Sequence, residues 1–119
     1  MSEKFTLRCA IYALFIRNNK LLLFRRANTG WQDGLYGIPG GHLEKDETIL
    51  QGACREALEE SGLKVKPDDL ELTHIVHRKS NYVYIDLFFK TTKWEGEPSI
   101  TEENKSDKIL NEVNSCDDL

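Results

Sequence analysis

Long hydrophobic runs, paired cysteines and an excess of basic charge are all missing from this sequence, and each absence removes a class of protein. The longest apolar run, Cys9 to Ile16, is far short of the roughly 20 residues that span a bilayer. It does not read as a secretory leader, because Arg8 abuts it and no small-residue cleavage site follows. The 3 cysteines (Cys9, Cys54, Cys116) lie far apart with no CxxC pair. Neither a disulfide framework nor a zinc site is expected, and the thiols read as buried or idle in a reducing compartment. His42, His74 and His77 share no metal-binding spacing. Lys and Arg number 16 against 20 Asp and Glu, a formal net charge of −4, which argues against a nucleic-acid duplex as main partner. What remains is a cytoplasmic enzyme or binding protein. At 119 residues, with 39% hydrophobic and 30% charged, the expectation is one globular domain over 1–119.

The charge that is present is unevenly placed. Residues 1–43 carry 6 bases and 2 acids, residues 44–60 carry 2 bases and 6 acids, residues 61–94 sum to +2 and residues 95–119 to −6. An acidic block between two basic ones suits a site for metal and phosphate, although solvated surface charge has the same appearance.

Local patterns predict the elements. Leu7 to Ile16 and Lys20 to Arg26, joined at Asn18-Asn19, read as a β-hairpin. Residues 27–41 hold five of the 8 glycines and read as a long structured loop, a frequent carrier of function. Thr48 to Ser61 reads as a helix, with Thr48 and Gln51 as a capping box and Gly62 as the C-cap. Ile49, Leu50, Ala53, Cys54 and Ala57 form its expected buried stripe. Leu70 to His77 and Tyr82 to Thr91 read as strands.

On that helix Glu56, Glu59 and Glu60 fall at i, i+3 and i+4, so all three project from one face. Like charges so placed repel, and a divalent cation held by hard oxygen ligands would offset the repulsion. A solvated acidic face has the same spacing.

The surrounding residues separate the two. From Gly41 the chain reads Gly, five residues, Glu47, seven residues, Arg55-Glu56, then Glu59-Glu60, Gly62 and Leu63. This resembles the Nudix box (Gx5Ex7REUxEExGU, U a bulky aliphatic), here residues 41–63. All seven fixed letters match, which by chance happens on the order of once in a million such chains. Ala57 is small for a U position. The resemblance is to the MutT type, and it implies an α+β fold, an α/β/α sandwich with a mixed β-sheet and a loop–helix–loop active site. It implies a Mg²⁺ cofactor, with Mn²⁺ as substitute, and hydrolysis of a nucleotide's diphosphate linkage.

Carried onto these residues, the resemblance makes Glu59 and Glu60 the principal metal ligands. Glu56 becomes a further ligand or the base that takes a proton from water. Gly40 offers its backbone carbonyl to metal, and Arg55 pairs with Glu47. Arg25, Arg26 and Gly41 are expected at the substrate, Glu103 (beside Glu102) as one more metal-binding acid, and Trp31, Tyr82 or Tyr84 as stacking partners for a base. A (deoxy)nucleoside triphosphate, cleaved to monophosphate and pyrophosphate, is the first-choice substrate. ADP-ribose or a nucleotide sugar is the alternative within enzymes, and a low-activity nucleotide-binding module the alternative outside them. The tail from Lys108 departs from the family's closing helix, which is expected to be short or missing. An uncovered sheet face would then favour a homodimer.

Overall fold

The computed structural model describes residues 4–26, 36–97 and 106–110, the last five and Arg25-Arg26 by their backbone. Its elements are β1 (Arg8–Arg17), β2 (Lys20–Leu21), β3 (Leu23–Arg26), β4 (Tyr36–Gly37), β5 (Gly40–His42), α1 (Ile49–Ser61), β6 (Glu71–Lys79), β7 (Val83–Thr91) and β8 (Ser106–Leu110). A 3-10 turn at Pro67–Asp69 leads into β6. The fold is α+β. A mixed sheet runs in the order β2-β1-β7-β6, with β5 also paired to β1, and β4-β3-β8 form a second sheet. The β1–β7 pair is parallel, Arg8 opposite Tyr84 through Phe15 opposite Thr91. Parallel neighbours need a long crossover, and α1 lies within it.

Asn18 and Asn19 have φ 53° and 60°, the left-handed pair that a two-residue hairpin turn requires and that Asn tolerates. The hairpin itself is shorter than expected. Only Ile16–Leu21 and Arg17–Lys20 pair as strands. The chain then bends so that Leu22 and Phe24 enter the core, and β3 leaves for the second sheet.

The start and stop of α1 follow local chemistry. Thr48 Oγ1 accepts from the Gln51 backbone amide and the Gln51 side chain accepts from that of Thr48, while Gly62 closes the helix at φ 75°. Replacing Thr48 with alanine removes one half of this exchange and is expected to lower stability by about 1 kcal/mol, read from urea midpoints.

The buried side of α1 is Gly52, Ala53, Glu56, Ala57 and Ser61. Ala53 and Ala57 lie where expected, but Ile49 and Leu50 are 40% and 38% exposed, and Cys54 is half-buried. Periodicity registers apolar character, whereas a helix seated close on a sheet selects small residues. Ala53 packs with Ile11, Leu87 and Phe89, and Ala57 with Ala13, Phe15, Leu22, Phe24 and Leu63. Each large side chain buried there contributes about 1.5–3 kcal/mol. Ser61 is tolerated because its hydroxyl donates to the Ala57 carbonyl and accepts from the Leu63 amide.

At the sheet's edge β6 is exposed, including Leu72, Ile75 and Val76. Ser106–Leu110 form a strand, and the rest of the tail, on which the short or missing helix was expected, lies outside the described residues. Among the described residues no helix is long and apolar enough to cross a membrane.

Candidate active site

β5 and the turn after it bring the chain from the sheet to the start of α1. Gly41 pairs with Ile11 and Gly40 with Tyr12. A Cβ at Gly41 would collide with the Glu56 carboxyl, and one at Gly40 would stand 2.6 Å from the Ile11 carbonyl oxygen and strike the Tyr12 ring. Gly40 therefore requires glycine for space, and Gly41 leaves the room in which the Glu56 carboxyl sits. Gly52, on the next layer, admits Glu47, since a Cβ there would lie 2.8 Å from Glu47 Oε1.

Arg55 is the hub. Its Nε and Nη2 donate to the two oxygens of Glu47 at 3.0 and 2.7 Å, a fork that matches a carboxylate's geometry. Nη2 also donates to the His42 carbonyl at 3.1 Å. Nη1 donates to Glu56 Oε1 at 2.7 Å and Glu59 Oε2 at 3.1 Å, with Glu44 3.5 Å away. One guanidinium thus ties the turn (His42, Glu44, Glu47) to the helix (Glu56, Glu59). The resemblance to the Nudix box implied the first of these contacts. The Glu44 and His42 contacts had no signal in the sequence, since one is a single carboxylate among several and the other a backbone oxygen.

The three helix acids sit in different surroundings. Glu56 is buried, with 9% of its surface exposed. The Glu59 side chain is 47% exposed, and Glu60 is half-buried. The carboxylates of Glu56 and Glu59 converge on Arg55. Among the described residues no three His, Cys, Asp or Glu side chains already form a metal cage.

Arg55 holds the Glu47 carboxyl far below the ordinary range, at about 2, with the Glu44 amide (2.7 Å) as second cause. The reciprocal effect, Glu47 first, raises the guanidinium above its usual value. A carboxyl lower in the folded than in the unfolded chain stabilises the fold above the unfolded value, here 4.5, and that contribution is lost as pH falls toward the folded value. Glu47→Gln should melt below wild type at pH 6, and the difference should shrink between about pH 4.5 and pH 2. Paired thermal melts across that range measure it.

On the other face of the mixed sheet Tyr12 stacks on Phe88, ring centroids 4.8 Å apart. Asp86, buried, takes two hydrogen bonds from Arg78 at 2.8 and 3.2 Å. The tyrosines expected to stack on a base already carry guanidinium groups, Arg8 over Tyr82 at 3.5 Å and Arg78 over Tyr84 at 3.9 Å. Burial pushes the Cys9 and Cys54 thiols up, for Cys9 with a contribution from Asp86. Arg25 and Arg26 end β3, with Arg25 opposite Tyr36. Their side chains, and Trp31, Glu102, Glu103 and Cys116, lie outside the described residues.

The family model of the NUDIX domain matches residues 6–118. This chain belongs to the Nudix family. Curated relatives match part of the chain. It is 46% identical to the m7GpppN-mRNA hydrolase NUDT17 of Danio rerio over 54 residues, 44% of this chain and 18% of that one. It is 33% identical to the phosphatase NudJ of Escherichia coli (strain K12) over 69 residues, 58% and 41% respectively. The matched stretches thus span less than half the length of these curated relatives. Nudix structures share the fold. A MutT NUDIX hydrolase from Burkholderia pseudomallei superposes with TM-score 0.80 at 22% identity, covering 88% of this chain and 81% of that one. A bifunctional NMN adenylyltransferase/ADP ribose pyrophosphatase from Francisella tularensis, complexed with AMP and a manganese ion, gives 0.71 at 22% identity, covering 92% and 35%.

Proposed function

We propose that this Nudix protein is a pyrophosphohydrolase that cleaves the diphosphate linkage of a small nucleotide with a divalent cation, Mg²⁺ with Mn²⁺ as substitute. The observation that carries the reading is the buried Glu56 carboxylate, lodged against Gly41 and hydrogen-bonded to Arg55, with Glu59 on the same guanidinium. A solvated acidic face gives no reason to bury a carboxylate beside a glycine that leaves it room.

The donor set fits such an ion. Glu56, Glu59, Glu60 and the Gly40 carbonyl are all hard oxygens, the type that Mg²⁺ and Mn²⁺ select, and Glu103 completes the acids in this reading. The cation, when bound, neutralises diphosphate charge and lowers the pKa of attacking water. The chain's own residues do the rest. Glu56 accepts the proton of the attacking water. Arg55 and Glu47 fix the turn against the helix, so that the acids keep their spacing. Gly41, expected at the substrate, instead leaves room for the Glu56 carboxylate, and Arg25 or Arg26 clamps a phosphate.

The substrate proposed first is a nucleoside triphosphate, giving monophosphate and pyrophosphate. The names of the relatives, an mRNA cap hydrolase and an ADP ribose pyrophosphatase among them, support a nucleotide diphosphate linkage in general. The rest of the reading is a single domain over 1–119, acting in the cytoplasm, with no duplex as partner. A homodimer is supported by the exposed Leu72, Ile75 and Val76.

A panel of nucleoside triphosphates, ADP-ribose and nucleotide sugars, run with Mg²⁺ and with chelator, tests it. Mg²⁺-dependent pyrophosphate release from a triphosphate is expected. Turnover of ADP-ribose alone would replace the triphosphate with the alternative substrate. Binding without turnover of any member would replace the enzyme with a nucleotide-binding module.

A further inference from the structure

Beyond the C-terminal end of α1 the chain builds a second polar cavity that shares no residue with the carboxylate cluster. Lys64 and Glu95 pair as an isolated antiparallel bridge, each amide bonded to the other's carbonyl at 3.0 and 2.9 Å. In extended chain alternate residues face alternate sides. Val65 accordingly enters the core, while Lys64 and Lys66 are exposed. Across the bridge Trp94 packs inward on the core cluster, edge-on to Phe15 with centroids 5.3 Å apart, and Lys93 and Glu95 are exposed. Two further anchors fix the frame. The Lys93 amide and carbonyl both bond Thr91 Oγ1 at 3.1 and 2.9 Å, and the Asp69 amide bonds the Lys66 carbonyl at 3.0 Å.

Lys64, Lys66, Asp69, Lys93, Trp94 and Glu95 line a cavity of about 290 Å³. Arg17 adds a cation over the Trp94 ring, 4.0 Å from its centroid. Among the described residues the three lysines make no ion pair, whereas Arg55, Arg78 and Lys90 do. Asp69 and Glu95 offset part of this charge, and the surplus stays positive. Lysine ammoniums are strong point donors for phosphate. The volume lies at the lower edge of small-ligand sites, which suits a compact anion better than a polymer.

We propose that this cavity is a second anion site, for a phosphate-bearing ligand of about diphosphate size. The test uses the whole chain with inorganic pyrophosphate, in chelator so that no metal brings the anion to the helix acids. The Trp94 indole N–H resonance should shift saturably. Lys64→Ala and Lys93→Ala should each weaken binding about tenfold, the loss expected for one charge-assisted hydrogen bond. Glu59→Gln should leave it unchanged. The proposal is overturned by the absence of a saturable shift, by a shift that survives both lysine substitutions, or by one that Glu59→Gln removes. The catalytic reading stands or falls separately, on turnover.

Discussion

Glu59→Gln is expected to lower kcat for Mg²⁺-dependent nucleotide hydrolysis by about 10³-fold, roughly 4 kcal/mol of lost transition-state stabilisation. The substitution keeps the shape of the side chain and removes one of the proposed hard anionic ligands. The fold should be left almost untouched. Glu59 is half in solvent, and Arg55 retains both oxygens of Glu47, the Glu56 carboxylate and the His42 carbonyl. An exposed pair of this kind contributes a few tenths of a kcal/mol, so the melting temperature should move by no more than a degree or two. Manganese titration followed by electron paramagnetic resonance should show weaker binding in parallel with the lost turnover. Unchanged turnover in the variant would remove Glu59 from the metal-binding set.

Gly41→Ala carries the second large effect. The added Cβ would occupy the space of the Glu56 carboxyl, the far end of a flexible side chain, so the carboxyl is pushed aside while β5 and α1 keep their places. Displacing the carboxyl breaks its hydrogen bond with Arg55, at a cost of about 1–2 kcal/mol, and turnover should fall by at least about 100-fold because the displaced group is the proposed proton acceptor. The mechanism is separable from general damage by a double substitution. Gly41→Ala with Glu56→Ala removes the carboxyl that the added Cβ displaces, so urea denaturation should show a combined loss of stability smaller than the sum of the single losses while activity stays lost. Losses that simply add would mean that the two residues do not meet.

The parts of this architecture legible in the sequence are those set by short-range chemistry. Thr48, Gln51 and Gly62 mark the ends of α1 through hydrogen bonds spanning a few residues, and Asn18-Asn19 marks the turn through backbone preference. The β-rich runs that become β6 and β7 are equally local. The sheet order is a different matter. That β1 lies parallel to β7 is decided by which faces are left to cover once α1 is seated. The early departure of β3 from the hairpin is decided by where Leu22 and Phe24 find a core. In the site, helical spacing placed Glu56, Glu59 and Glu60 on one face but left their burial undetermined. Glu56 is covered because Gly41 lets the strand approach, and that distance belongs to the packing of two elements. The Arg78–Asp86 pair depends on strand register, which no single segment specifies.

The parallel β1–β7 pairing also governs how the chain must acquire its shape. Arg8 waits for Tyr84, and Phe15 for Thr91, so the central seam closes only once the chain through Thr91 exists. Such distant partners slow two-state folding toward the millisecond-to-second range. On the ribosome the first strand emerges early and stays without its neighbour until residues 83–91 clear the exit tunnel. Throughout that interval its apolar stretch lacks the cover that β7 later gives it, which is the condition under which a nascent chain is open to misassociation.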